Sequence, residues 1–280
     1  MSKLPEFWQT LSSLQQRTIS AVLLGGFVLG AILCGGLFLA IIVALMAVLA
    51  YREYLPLVQK QWHKSWECMA YASLVAGCLT TGLSGDIILG FAPVLMGFVV
   101  LVILSHLYYN KADHKAPVWV YAGLFYVAVP ALSILWLRQT GEHIVPETPW
   151  MLLLMPMLGV WATDTGAYFA GRRIGGPKIA PKISPNKTWA GLIGGMLAAS
   201  LVMGGMAVCV QLAHAPFYFV FGAVMAIIAQ MGDFFESHLK RRAGVKDSGH
   251  IIPGHGGILD RIDGVLTALP FFAIFVLILL

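Results

Sequence analysis

Charge is what this sequence has least of. Of its 280 residues, 11% are Asp, Glu, Lys or Arg, while 59% are hydrophobic and the mean hydropathy is +0.81. An average soluble domain carries about 25% charged residues, so the composition excludes a water-exposed fold and points to the bilayer as solvent. Cysteine is scarce as well. Cys34, Cys68, Cys78 and Cys209 are scattered in or beside apolar runs with no CxxC pair, which excludes a disulfide framework or thiolate metal site and leaves them as packing residues. The histidines show no HExxH spacing, and His238, His250 and His255 have oxygen-donor acids for neighbours, a poor setting for zinc. No polar module interrupts the apolar runs from residue 19 onward, so no soluble catalytic domain separates off. The first run continues to Leu49, too long for a cleaved leader, and is read as retained structure.

What the chain has instead is a series of segments long enough to cross hydrocarbon, which takes about 20 mostly apolar helical residues. Spans are expected near 18–34, 36–51, 67–84, 86–107, 117–136, 149–171, 188–210, 216–233 and 264–280. The predicted fold is therefore all-α, a polytopic integral membrane protein with about nine transmembrane helices. With the N-terminus in the cytoplasm, every Lys and Arg except Arg138 falls on the inner side, as the positive-inside rule requires. The connection 137–148, carrying Glu142 and Glu147, then lies outside. Residues 1–136 read as a helical scaffold and 137–280 as the catalytic portion of one continuous membrane domain.

Two basic loops stand out, one with Arg172, Arg173, Lys178, Lys182 and Lys187, the other with Lys240, Arg241, Arg242 and Lys246, followed by Arg261. A helical hairpin separates them, so both emerge on one face of the membrane. Topology alone explains basic loops, but it does not call for acids, and a carboxylate in a spanning helix costs about 2.5–3.5 kcal/mol on insertion scales. Asp164 lies within an apolar run about two turns before Arg172 and Arg173. It faces either a watery cavity or a helix–helix hydrogen bond, and its neighbours Thr163, Thr165 and Gly166 suit close packing around a ligand. Further on, Asp233, Glu236, Ser237 and Lys240 occupy i, i+3, i+4 and i+7 of a helix leaving the membrane, which sets them in one stripe. A loop rich in glycine (Gly249, Gly254, Gly256, Gly257) follows, whose backbone amides can approach an anion. Asp260 and Asp263 then fall one turn apart where the last span begins, a position that favours carboxylates and bound anions. Together with Asp247, these acids beside many cations suit magnesium-bound triphosphate, because Mg²⁺ takes a few carboxylates and completes its shell with phosphate oxygens and water.

The stretch SHLKRRAGVKDSGHIIPGHGGILDRID, from Ser237 to Asp263, resembles the C-terminal signature of phosphatidate cytidylyltransferases, with S-x-x-K-R, K-D, H-G-G and D-R-x-D all present. SPNKTWAG, from Ser184 to Gly191, resembles that family's second motif, departing from it at Ala190 where a polar residue is common. The resemblance implies transfer of CMP from CTP to phosphatidate, giving CDP-diacylglycerol and pyrophosphate, at the cytoplasmic boundary of the inner cell membrane. It implies Mg²⁺, leaving a second, monovalent cation open, with Asp233 and Asp260 as core ligands supported by Asp164, Asp247 and Asp263. Ser237 belongs near the metal centre, and Lys240 and Asp263 join the catalytic set. Lys187, Arg241, Lys246 and Arg261 fall to the phosphates, Ser184 and Thr188 to the nucleotide, and His255, Gly256 and Gly257 to substrate binding. A homodimer is implied and a nucleic-acid partner is not. A CTP-dependent lipid kinase is the nearest rival, and the complete S-x-x-K-R to D-R-x-D signature argues against it. An ion-coupled transporter would carry its acids near the midplane between inverted repeats, whereas no repeat is visible and the acids crowd one membrane face.

Overall fold

A computed structural model describes residues 13–59, 64–109, 118–251 and 256–279. Among them the chain forms α1 (Ser13–Cys34), α2 (Gly36–Val58), α3 (Lys64–Ser84), α4 (Ile87–Tyr109), α5 (Val118–Ile144) and α6 (Met151–Ile174). A hairpin of β1 (Lys178–Ala180) and β2 (Ser184–Thr188) follows, then α7 (Trp189–Cys209), α8 (Ala215–Ala243) and α9 (Leu259–Leu279). The architecture is an all-α polytopic membrane bundle. Six of the described helices, α2, α4, α5, α7, α8 and α9, are long and apolar enough to cross a membrane. α3 and α6 fall short of that measure because polar residues interrupt them, Thr163, Asp164, Thr165, Arg172 and Arg173 in the case of α6.

One hydrophobic core runs through both halves of the chain, with Tyr51 and Tyr54 of α2 wholly buried and bonded through their hydroxyls to the carbonyls of Val120 (3.1 Å) and Trp119 (2.9 Å) at the start of α5. Large apolar side chains face outward on α4 and α7, among them Ile88, Met96, Leu197 and Leu201. Water would oppose such a surface, whereas hydrocarbon accepts it. Cys78 alone of the four cysteines is buried, so the packing role expected for Cys34, Cys68 and Cys209 is not in the core.

Several elements differ from the sequence expectation, among them α5, α9 and the loop after α6. α5 continues through the segment expected as an outer connection, and its 27 residues make about 40 Å of helix. The extra turns serve their neighbours: Arg138 donates to the carbonyl of Ile32 (2.9 Å) at the end of α1, and Gln139 donates to that of Gly82 (2.6 Å) near the end of α3. Helix C-termini leave carbonyls without partners, so Arg138, the one basic residue on the wrong side of the charge pattern, is a buried helix cap. Gly35, with φ 63°, completes the arrangement, since a Cβ there would come within 2.7 Å of the guanidinium. α9 begins at Leu259, five residues earlier than expected, because Asp260 accepts a hydrogen bond from the Gly257 amide (2.8 Å) and closes an extra first turn. The basic loop after α6 contains the antiparallel hairpin, pairing Lys178 with Thr188 and Ala180 with Ser184.

α6 and α7 approach at backbone distance. A Cβ on Gly194 would stand 2.3 Å from that of Ala170, one on Gly166 would reach the Gly194 carbonyl at 2.6 Å, and one on Gly195 would reach the Thr163 carbonyl at 2.8 Å. Small residues at a seam of this kind are how membrane helices gain contact without a hydrophobic driving force. Of the neighbours of Asp164, Gly166 meets α7, and Thr163 and Thr165 bond back to the carbonyls of Gly159 and Trp161.

Candidate active site

The stripe on α8 is where the charged groups meet. Its 29 residues make about 43 Å of helix, longer than the roughly 30 Å hydrocarbon core, so the polar end carrying Lys240, Arg241 and Arg242 projects beyond it. Ser237 Oγ donates to Asp233 Oδ1 (3.3 Å) one turn away, and Lys187 of β2 pairs with Asp233 Oδ2. The hairpin holds Lys187 there because Thr188 caps α7, accepting from the Gly191 amide (3.1 Å), while Trp189 N donates to the Pro177 carbonyl (3.1 Å). Lys240 Nζ lies between two carboxylates, donating to Glu236 Oε2 (2.8 Å) and Asp260 Oδ1 (2.7 Å). Glu236 is wholly buried, and its Oε1 has no partner among the described residues.

Asp260 also accepts from the amides of Ser248 (2.9 Å) and Gly257 (2.8 Å). Of the amides that the glycine-rich loop was expected to offer an anion, that of Gly257 thus reaches the protein's own carboxylate, and Gly254 lies outside the described residues. Gly256, at φ 84°, would bring a Cβ within 2.9 Å of Asp260 Oδ2. Asp263, one turn along α9, accepts from the Gly264 amide (2.8 Å) and has Asp233, Asp164 and Lys187 as its charged neighbours. Asp164 is exposed on α6, within electrostatic reach of Asp233, Lys187 and Arg261. Five carboxylates (Asp164, Asp233, Glu236, Asp260 and Asp263) therefore face three cations (Lys187, Lys240 and Arg261).

The other expected residues lie on the hairpin, at the end of α8 and on the loop that follows it. Ser184 is half-buried at the start of β2, Arg241 donates to the Val245 carbonyl (3.1 Å) at the end of α8, and Lys246 and Asp247 are exposed on the loop. Asp247 is close enough that a Cβ on Gly256 would lie 3.7 Å from its own Cβ. His255 lies outside the described residues.

Two participants escaped the sequence reading. Glu53, on α2 and 5% exposed, accepts from Ser248 Oγ (3.1 Å) and from the Leu259 amide (2.8 Å). Cβ atoms on Gly249 and Gly257 would both come within 2.4 Å of its carboxylate, so two loop glycines are small in order to admit it. The N-terminal helices, to which no chemistry was assigned, thus reach into the loop. Tyr126 of α5 stacks edge-on against Phe235, with Glu236, Asp263 and Asp233 among its charged neighbours. An acid inside a helix otherwise free of Asp and Lys, as Glu53 is in α2, was the available signal for the first; a tyrosine in an aromatic-rich span offers none.

Among the described residues, no three His, Cys, Asp or Glu side chains form a ready-made metal cage. The donors that the cluster offers a cation are oxygens, those of the carboxylates and of the Ser237 hydroxyl beside Asp233. Such a set fits Mg²⁺, which binds through one or two carboxylates plus phosphate and water, and lacks the nitrogen and sulfur ligands of a structural zinc site.

Residues 15–279 match the family described as the cytidylyltransferase family. The chain belongs to that family. Among the curated relatives of this cytidylyltransferase-family chain, a phosphatidate cytidylyltransferase of Brucella suis is 35% identical over 95% of this chain and 94% of its own length. Proteins of the same name from Rickettsia felis and Haemophilus influenzae are 35% and 38% identical, covering 71% and 64% of this chain and 89% and 64% of their own lengths.

Proposed function

We propose that this cytidylyltransferase-family chain transfers the CMP moiety of CTP to phosphatidate, giving CDP-diacylglycerol and pyrophosphate. The observation that carries the reading is the convergence of five carboxylates and three cations from α6, β2, α8 and α9 where α8 leaves the membrane. The names of the relatives supply the substrates. Nucleotide arrives from water and phosphatidate from the leaflet, and a cluster at headgroup depth is within reach of both. An oxygen of the lipid phosphate attacks the α-phosphorus of CTP, the bond from that phosphorus to the bridging α–β oxygen breaks, and pyrophosphate leaves with the electron pair. No bond to the protein is needed.

The work of the side chains is then positioning and charge placement. Arg241 and Lys246 on the rim meet the triphosphate, Arg261 meets the lipid phosphate, and Lys187 answers negative charge developing at the α-phosphoryl group. Lys240, held by Glu236 and Asp260, sets the loop bearing Asp247, His255, Gly256 and Gly257 against α9. Ser184 and Thr188 frame the nucleotide side, and Ser237 orients Asp233. Asp233 and Asp260 are the proposed core holders of Mg²⁺, supported by Asp164 and Asp263, and Asp260 also fixes the loop through its bonds to Lys240, Ser248 and Gly257. Bound there, the ion would offset triphosphate charge and polarise a phosphoryl oxygen. The charge pattern supports an N-terminus in the cytoplasm and a site facing the cytoplasm at the inner cell membrane, and the same reading includes a homodimer.

Purified protein in detergent with phosphatidate, Mg²⁺ and CTP labelled separately at the α- and γ-phosphates tests the reaction. Lipid labelled from the α position is expected. Label from the γ position makes the protein a lipid kinase, and label from neither, with folded protein, overturns the proposal.

A further inference from the structure

A row of aromatic rings crosses the N-terminal helices and ends at the charged cluster. Tyr71 of α3 meets Tyr51 edge-on, with 6.2 Å between ring centroids, and Tyr51 stacks on Tyr54 at 6.4 Å. Tyr54 in turn leans on Tyr126 of α5 at 5.8 Å, and Tyr126 meets Phe235 of α8 edge-on at 5.2 Å. Gly123 of α5 leaves room for the Tyr54 ring, where a Cβ would overlap it, so the row has a fixed seat. Three of its four tyrosines use their hydroxyls: Tyr51 and Tyr54 donate to the carbonyls of Val120 and Trp119, and Tyr71 donates to Glu67 Oε2 (3.5 Å). The Tyr126 hydroxyl is buried too, yet it has no hydrogen bond among the described residues.

The complementary deficit stands next to it. Glu236 follows Phe235 on α8 and is wholly buried; its Oε2 accepts from Lys240 (2.8 Å), while its Oε1 accepts from nothing among the described residues. A buried donor and a buried acceptor left unpaired are each costly. The charged neighbours of the Tyr126 hydroxyl are Glu236, Asp263 and Asp233, all of them acids, a setting in which an O–H acts as donor. Asp233 and Asp263 have donors of their own in Lys187, Ser237 and the Gly264 amide. No direct hydrogen bond joins Tyr126 to Glu236, and a single water between hydroxyl and carboxylate satisfies both.

We infer that Tyr126 is a positioning residue, whose hydroxyl donates through one water to Glu236 Oε1 and so fixes the carboxylate that holds Lys240 against Asp260. A carboxylate gripped at one oxygen can turn and take its lysine with it; gripped at both, it cannot. The inference rests on the proposed group transfer taking place at this cluster, and it adds that α5, which carries none of the sequence motifs, sets the place of Lys240.

Tyr126→Phe tests it, because the ring stays against Tyr54 and Phe235 and only the hydroxyl goes. In the full chain in detergent, kcat for transfer of label from CTP to phosphatidate, whichever phosphate carries it, is expected to fall about tenfold, the scale of one hydrogen bond to a charged group. KM for CTP should stay within about twofold, since Arg241 and Lys246 are untouched, and the melting temperature should move by less than about 3 °C. Tyr54→Phe, which removes a hydroxyl of the same row bonded to backbone, should hold kcat within about twofold. An unchanged kcat in Tyr126→Phe, a rise in KM in place of the fall in kcat, a large drop in melting temperature alongside it, or an equal loss of kcat in Tyr54→Phe would each overturn the assignment. A crystal structure of the unaltered chain fine enough to show ordered water needs no turnover. A water within about 3 Å of both oxygens is expected, and a Tyr126 hydroxyl bonded elsewhere, or Glu236 Oε1 held by another donor, overturns the inference. That observation decides the contact even if the α-phosphate experiment rejects cytidylyl transfer.

Discussion

Asp260 ties together more of the site than any other side chain, accepting from Lys240 and from two loop amides. Asp260→Asn keeps the shape but removes the charge that these donors neutralise. Turnover is expected to fall at least about a hundredfold with expression near normal, while Lys64→Ala, at the start of α3, stays within about twofold of the parent. Equal loss in both, measured as α-labelled lipid formed per unit of folded protein, would detach the reaction from this cluster. Glu53→Ala leaves the Leu259 amide and the Ser248 hydroxyl without their acceptor, a loss of about 1–3 kcal/mol. A lowered melting temperature and reduced turnover should appear together, with Glu53→Gln recovering part of both because it retains an acceptor oxygen. The α8 stripe was legible in the sequence because its members are three and four residues apart on one helix. The bonds from Glu53 span 195 and 206 residues, and no local pattern encodes a partner at that distance.

The α6–α7 seam sets where Asp164 stands relative to the groups reached through α7 and β2. Gly194→Val should therefore be severe, since its first carbon alone would lie 2.3 Å from Ala170 Cβ, with overpacking costs of about 1–3 kcal/mol. Gly205→Ala on the same helix meets nothing within 4 Å and should be neutral or slightly stabilising. Detergent-solubilised melting curves of the pair separate shape at the seam from loss of helical glycine in general. The extent of α5 was hidden because residues 137–144 include Arg, Gln, Thr, Glu and His, which read as a loop until Arg138 and Gln139 are seen capping other helices. The hairpin was hidden too, since strands of three and five residues, KIA and SPNKT, are too short to carry an alternating pattern.

Across the whole molecule, the uneven distribution of Lys and Arg is the clearest large-scale signal. In a background whose own four cysteines have been replaced, Glu147→Cys should react with an impermeant maleimide added outside intact cells, and Lys182→Cys only after the membrane is opened. The reverse pattern would invert the topology and place the cluster on the side without CTP. The all-α membrane architecture followed from hydropathy because bilayer thickness sets a length that can be measured along the chain. Which helices neighbour one another did not, because apolar spans carry no sign of their partners.

The glycine seam between α6 and α7 also bears on the setting in which the protein works. An enzyme whose substrate and product are lipids makes a continual adjustment to the medium around it. Contacts that depended on the surrounding acyl chains would drift with that adjustment. Backbone meeting backbone through Gly166, Gly194 and Gly195 depends on shape instead, so the spacing of the charged groups is insulated from the fluidity of the membrane that the reaction helps to build.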